Sequence, residues 1–367
     1  MKIAILGTRG IPNNYGGFEQ FAEIISQHWL KSGHEVWVYC SHKHSFKAAV
    51  FKGIHRITIY DPEYLVGTVG QFVYDFNCIF DARKRGFDVI LQLGYTSSSV
   101  WGFLLPQKPL IVTNMDGLEW KRAKFSPKVQ TFLKWAEKLA IKTSDILVAD
   151  SIGIQSYLKR NFDVASQYIA YGAEVEDLSN TSAILKEYEV DEYSYNLLIA
   201  RMEPENNIEM ILDGIVASGL ERPTLVIGKT ENKFGQYLVK KFKQPYIRFL
   251  GGIYNKPKID ALRKYAYLYY HGHSVGGTNP SLLEAMAVGA LISANNNEFN
   301  KSILQDDAFY FRNSKDIENQ QIVNAQSYRE AFSTNCISRI KAEFNWEKIS
   351  GEYLRLFESG LTQRVNS

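Results

Sequence analysis

The chain has 367 residues, 45% hydrophobic and 22% charged, enough for two domains of ordinary size that each bury a full core. A net charge of +3 is far too weak to argue a nucleic-acid partner, and no apolar run reaches membrane-spanning length. Three cysteines (Cys40, Cys78 and Cys336), far apart and odd in number, fit a reducing cytoplasm and no metal cluster. The N-terminus enters a strand directly, without a signal peptide, so a cytoplasmic protein is expected. The charge is uneven: residues 1–172 hold 20 Lys+Arg against 14 Asp+Glu, and residues 173–367 hold 22 against 25. A mildly basic first half suits a phosphate-bearing ligand or an anionic membrane surface, and ordinary charge fluctuation accounts for it equally well.

Lys2 to Leu6 reads as a buried strand and Gly7 to Gly17 as a long loop. Phe18 to Lys31 has helical periodicity, with Phe18, Phe21, Ala22, Ile25 and Trp29 on one face; Gly33 stops it and Glu35 to Cys40 is a second strand. That unit opens a doubly wound sheet. The loop spacing is G-x-x-G followed by G-G rather than G-x-G-x-x-G, and no acid closes the second strand, which argues against a nicotinamide site. Arg9 and the paired glycines Gly16 and Gly17 at a helix start still look built for close backbone approach to a ligand. Strand-like runs follow at 57–60, 89–93, 110–113, 146–149 and 168–170, with helical patterns at 70–85 and 126–143. The segment Asn114 to Lys124 leaves a strand end, where such sheets place ligands. It offers Asp116 and Glu119 as polar contacts and Lys121, Arg122 and Lys124 as phosphate contacts, although each alone is more often a solvated loop charge.

From Glu174 to Tyr195 the chain is polar and without strong periodicity, and the domain boundary is placed there. The predicted domains are 1–173, joined by the C-terminal helix 346–367, and 174–345. Alternation restarts with strands at 196–200, 224–227, 246–250 and 267–270 and helices at 206–218, 232–242 and 256–265. Arg201 follows the first of these strands. Gly228-Lys229-Thr230 fails as a P-loop because Pro223 stands where the first glycine belongs, leaving Lys229 as a strand-end cation. His271 and His273 lack an acidic or cysteine partner nearby in sequence, so a metal site is not expected. After them, Gly276-Gly277-Thr278 has little side-chain bulk, Asn279 is an N-cap and Pro280 suits the first helical position. Leu282, Leu283, Met286 and Ala287 form the core face of that helix. Glu284 lies off it, beside Pro280 and Ser281, leaning toward the N-terminus as an acceptor for paired hydroxyls. Phe344, Trp346, Ile349, Tyr353, Leu354 and Phe357 mark an amphipathic C-terminal helix over 346–358.

Over nearly its whole length the chain resembles the family-4 glycosyltransferases of GT-B fold. Carrying this are Tyr15-Gly-Gly-Phe-Glu19, Ser32-Gly-His-Glu-Val36, Ala200-Arg-Met-Glu-Pro-Glu205 and Leu282-Leu-Glu-Ala-Met-Ala287. Gly7-Thr-Arg-Gly-Ile-Pro12, Asp116-Gly-Leu-Glu-Trp120, Pro204-Glu-Asn-Asn207 and His271-Gly-His273 with Gly276-Gly-Thr-Asn-Pro-Ser-Leu-Leu-Glu284 are similar to bacterial capsule and O-antigen rhamnosyltransferases. The resemblance implies an α/β protein of two doubly wound, Rossmann-like domains facing across a cleft, with the C-terminal helix crossing back to the first. It implies donor contacts at Gly16, Gly17, Lys229, Gly277, Thr278, Asn279, Pro280, Ser281 and Glu284, with Arg201 on the diphosphate and Asp116 orienting the transferred sugar or acceptor. Two family positions depart: Gly276 stands where a sugar-binding glutamate is usual, and Asn206 where a lysine pairs with the arginine.

Members of that family retain anomeric configuration without a metal or other cofactor, the departing diphosphate itself taking the acceptor proton. The implied reaction moves L-rhamnose from dTDP-rhamnose to a polyprenyl-diphosphate-linked saccharide at the inner leaflet, with peripheral membrane association. Arg9, Glu119, Lys121, Arg122 and Lys124 fall on the acceptor side. Other hexoses from UDP- or GDP-sugars, a nucleotide-sugar epimerase and a non-catalytic sugar-nucleotide-binding protein are the alternatives.

Overall fold

The computed structural model describes residues 1–14, 16–122, 125–176, 178 and 181–365. The chain divides into two compact units: Met1–Lys121 with Phe125–Tyr171 and Trp346–Ser367, and Gly172–Asn345 with Arg122–Lys124.

The first unit is built on β1 (Lys2–Leu6), β2 (Glu35–Ser41), β3 (Val50–Phe51), β4 (Ile54–Ile59), β5 (Val89–Leu93), β6 (Leu110–Asn114), β7 (Ile146–Ala149) and β8 (Gln167–Tyr168). Their order is β3-β4-β2-β1-β5-β6-β7-β8, and every pairing is parallel except β3 with β4. Ile3, Ile5, Val36, Val38, Val89, Leu91 and Val112 are fully buried, as expected of parallel strands covered on both faces. The β3–β4 hairpin is not legible as periodicity, because β3 is two residues long. Its turn is Lys52-Gly53, both with positive φ (48° and 86°), the geometry of a tight two-residue hairpin. The strand expected at 57–60 therefore begins earlier, at Ile54, and that expected at 168–170 is Gln167–Tyr168.

The C-terminal helix spans Trp346–Val365. Ile349, Tyr353 and Phe357 are buried at helical spacing. Tyr353 packs on Phe21 (ring centroids 5.5 Å apart), Phe357 packs on Trp29 (5.3 Å), and the Trp29 indole donates to the Ser350 carbonyl (3.3 Å). Gly360 carries the helix onward because a Cβ there would lie 2.7 Å from Leu110, so the last turns depend on close approach to the sheet. Arg364 closes the contact with Asp145 at 2.6 Å. Phe357→Ala should cost about 3–5 kcal/mol, from a large buried ring and the cavity it leaves. Urea unfolding checks this; an unchanged midpoint would mean that the helix contributes little to the unit.

The second unit contains β9 (Asn196–Ile199), β10 (Thr224–Ile227), β11 (Ile247–Gly251), β12 (Leu268–His271), β13 (Ile292–Asn295) and β14 (Phe309–Phe311). They are all parallel, in the order β11-β10-β9-β12-β13-β14. Each sheet reverses strand order at one place: between β1 and β5 in the first unit, and between β9 and β12 in the second. Doubly wound sheets bind ligands outside the carboxyl ends of the strands at such a reversal. The helix expected over 206–218 runs Ile208–Ala217, because Asn207 adopts a left-handed φ of 50° and its amide donates to the Gly272 carbonyl (2.7 Å). The polar stretch after Glu174 holds a 3-10 run, Ser182–Tyr188, anchored by the buried Leu185.

Candidate active site

At the carboxyl end of β9 the chain turns through Arg201 to Asn207, beside the segment His271-Gly272-His273 leaving β12. Asn206 is buried and joins the two. Its Nδ2 donates to the Arg201 carbonyl (2.7 Å), which leaves Oδ1 to accept from His273 Nδ1 (2.9 Å). The Ser274 amide and hydroxyl both donate to the Glu205 carbonyl, at 3.1 and 2.8 Å. Gly272 permits the approach, since a Cβ there would fall 1.9 Å from the Asn206 carbonyl oxygen. The position where the resemblance leads one to expect a lysine thus holds a buried crosslink. Arg201 itself is exposed at the edge. Lys229 is exposed past the end of β10, its Nζ 5.7 Å from the centre of the Tyr254 ring.

The helix after β12 runs Pro280–Ala287, with Asn279 as N-cap accepting from the Ser281 amide (2.9 Å). Leu282, Leu283, Met286 and Ala287 are buried and Glu284 lies off that face. Glu284 is held by Arg263 (Nη2 to Oε2, 2.7 Å), and the same Nη2 donates to Ser281 Oγ (2.8 Å). Arg263 is buried and reaches Asp260 with Nη1 (3.1 Å), and Asp260 meets Lys256 (2.6 Å). Burial works against the Arg263 charge, but Glu284, Tyr269 and Asp260 more than offset it and hold the guanidinium charged. Sequence reasoning misses Arg263 because its two acids lie three and 21 residues away. Only Asp260, one helical turn before it, is a local signal. Thr278 is buried in the loop ahead of the helix, with Gly277 partly exposed beside it.

Gly276 has φ 128°, a conformation that side-chain-bearing residues rarely adopt, and a Cβ built on it would meet His273 Nε2 at 3.0 Å. A glutamate at this position would need both a different backbone and a displaced imidazole. Burial drives the pKa of His273 down to about 4, with Arg122 and Arg201 adding to the effect. Burial likewise takes His271 to about 3, helped by His273 and Arg263, and His271 Nε2 has no hydrogen-bond partner among the described residues. Both rings are neutral at pH 7 and supply no cationic charge. Their folded pKa values lie below the unfolded value near 6.5. Unfolding therefore takes up protons below pH 6.5, and stability is lost from there down toward pH 4. An NMR titration of the imidazole C–H signals should show two rings with midpoints at about 3 and about 4; titration of both near 6.5 would contradict this.

In the first unit, the residues singled out lie at the carboxyl ends of its strands but are mostly engaged. Arg9 pairs with Glu63 through two nitrogens (2.9 and 2.7 Å), and its amide donates to Glu19 (2.8 Å). Glu19 is buried in the first turn of the helix Gly17–Lys31, so the helix start at Gly16 and Gly17 already carries a carboxylate. Asp116 has φ 48° and its amide donates to Asn114 Oδ1 (2.9 Å). Glu119 and Lys121 share a 3-10 turn. Arg122 groups with the second unit, and Lys124 lies outside the described residues. Sequence reading misses Asp75. It is buried in the helix Gly70–Ala82, accepts from Ser97 Oγ (2.5 Å), and is raised to about 6 by burial against the opposing Ser97 bond and Arg9. Tyr74 beside it donates to the Thr8 carbonyl (2.9 Å), just past β1. Among the described residues, no group of three His, Cys, Asp or Glu side chains is placed to hold a metal ion.

Two Rossmann-like sheets of mostly parallel strands, each with one strand-order reversal, make this the fold of the GT-B glycosyltransferases. A domain of unknown function, DUF1972, matches residues 1–89 and 107–174. An uncharacterized glycosyltransferase of Methanocaldococcus jannaschii is 23% identical over 395 residues, covering 98% of both chains. Sucrose-phosphate synthase from Thermosynechococcus elongatus superposes with a TM-score of 0.80 at 16% identity, over 98% of each chain. Anabaena HepE, solved in complex with UDP and glucose, superposes with a TM-score of 0.74 at 15% identity, over 98% of this chain and all of its own.

Proposed function

We propose that this chain is a glycosyltransferase that takes its sugar from a nucleotide-sugar donor. The observation that carries the reading is the edge between β9 and β12. There an exposed Arg201 and a capped helix start stand beside Glu284, a carboxylate fixed by a buried arginine. Cation and helix start suit a diphosphate, and the carboxylate suits paired ribose hydroxyls. The glycosyltransferase relative and the UDP and glucose bound by HepE support it. More narrowly, the reading is retaining transfer of L-rhamnose from dTDP-rhamnose to a polyprenyl-diphosphate-linked saccharide, in capsule or O-antigen synthesis. The sugar C1–O bond to the diphosphate breaks as the acceptor oxygen bonds C1 on the same face, and the acceptor proton passes to the departing diphosphate. Arg201, Lys229 and the Pro280 helix start meet the charge that grows on the leaving group. No metal is required by this scheme. Incubation with dTDP-, UDP- and GDP-sugars, with and without lipid-linked glucose, tests it. Acceptor-dependent nucleotide release is expected; a changed sugar without acceptor would mean an epimerase, and binding without turnover a sugar-nucleotide-binding protein.

The same reading places the first unit on an anionic membrane surface, and one face of that unit fits. Tyr64 to Val69 are six consecutive exposed residues, with Leu65, Val66 and Val69 at 64%, 56% and 66% exposure. From the following helix, Phe72 packs on Phe132 (5.7 Å), and Phe132 on the exposed Trp135 (5.7 Å), which joins this patch to the helix Pro127–Thr143. There Lys128, Thr131, Trp135, Lys138 and Lys142 form one exposed stripe, while the helix's acid, Glu137, is buried. An apolar patch beside a cationic stripe matches an anionic interface, each lysine there contributing about 1 kcal/mol. No helix among the described residues is long and apolar enough to cross a membrane. Vesicles with anionic lipid should float the protein and purely zwitterionic ones much less. Leu65→Glu with Val69→Glu should abolish flotation; no flotation of the unmodified chain would contradict the assignment.

A further inference from the structure

We infer that His273 is a specificity-determining residue, its Nε2 accepting a hydrogen bond from a hydroxyl of the donor's sugar; this rests on the nucleotide-sugar reading above. Three observations converge on the ring. Its tautomer is set from behind: Asn206 spends its amide on the Arg201 carbonyl, so its oxygen takes the proton on His273 Nδ1 and leaves a lone pair on Nε2. Its backbone is clamped, the His273 carbonyl accepting from Asn297 (3.0 Å) and Asn300 (3.1 Å), both just past β13. Its Nε2 lies against Gly276, 3.0 Å from where a Cβ would start, so the imidazole holds the space that a side chain at 276 would enter.

The chemistry is that of an acceptor and not of a cation. The ring stays neutral, since burial and the nearby Arg122 and Arg201 all oppose protonation. A neutral acceptor beside Arg201 has no attraction for phosphate, whereas a hydroxyl can donate to it. The residue stands on the turn out of β12 and is joined through Asn206 to the β9 turn that carries Arg201, the proposed diphosphate contact. The group attached to the diphosphate is the sugar. An imidazole offers one lone pair in a fixed direction where a carboxylate would offer several, so one hydroxyl of defined orientation is selected.

Steady-state kinetics of His273→Ala and His273→Gln, with inhibition by the matching free nucleoside diphosphate, tests this. His273→Ala should raise the donor KM about tenfold, the size of one hydrogen bond, and narrow the preference among donors that differ in hydroxyl configuration. Inhibition by the nucleoside diphosphate, which carries no sugar, should be unchanged. His273→Gln keeps one donor and one acceptor and should recover most of the loss. Equal weakening of donor and free nucleoside diphosphate would make His273 a structural support of the Arg201 turn and overturn the inference. So would an unchanged donor KM. If the unmodified chain turned over no nucleotide sugar, the functional reading would fail first, ahead of any comparison of variants.

Discussion

Arg201→Ala should lower kcat by roughly a hundredfold to a thousandfold while leaving the donor KM within a few fold and the melting temperature unchanged. In the proposed reaction the diphosphate gains charge as the glycosidic bond breaks, and an interaction that grows toward the transition state is lost from kcat. Arg201 is exposed, so its truncation leaves no buried acid behind. Its backbone is fixed independently of its side chain, because Asn206 binds its carbonyl. The guanidinium is thus presented on a rigid turn, which is what preorganised stabilisation requires. Steady-state kinetics with a melting control decides the matter. Wild-type kcat with weakened donor binding would remove the leaving-group role.

Arg263→Ala should cost about 3–5 kcal/mol of stability, because it strips a partner from the buried Asp260 and from Glu284. It should also raise the donor KM, as Glu284 loses the contact that orients it. Glu284→Ala by itself should weaken donor binding by about 1.5–3 kcal/mol, the range for hydrogen bonds to a charged group. The double variant Arg263→Met/Glu284→Leu separates the two effects. Apolar residues in place of a buried ion pair are often neutral or stabilising, so melting should return toward the unmodified value while donor affinity stays low. Recovery of both would mean that Glu284 serves only the fold.

Much of the architecture is legible in the sequence because parallel strands write themselves as short apolar runs, and the turns after them stand out as glycine-rich or charged. That is why Arg201 and the Gly276–Asn279 loop can be placed at strand ends, and Glu284 on the helix that follows the loop, from residue pattern alone. What escapes that pattern depends on contacts distant in sequence. The partner of Glu284 sits on the preceding helix, and the partner of His273 lies 67 residues earlier. Without Asn206 the histidine pair reads only as a poor metal site. Asp75 escapes notice because it lies within a helix, and its hydrogen-bond partner Ser97 lies 22 residues further on. The departure at Gly276 is visible as a missing glutamate, but only its positive φ and the imidazole beside it show that the loop is built without one.

The measurement closest to the central claim is a crystal structure of the chain with dTDP-rhamnose or its hydrolysis-resistant analogue. The ribose hydroxyls are expected on Glu284, the diphosphate between Arg201 and the start of the helix Pro280–Ala287, and a sugar hydroxyl on His273 Nε2. A nucleotide bound elsewhere, with the edge between β9 and β12 empty at saturating ligand, would contradict it.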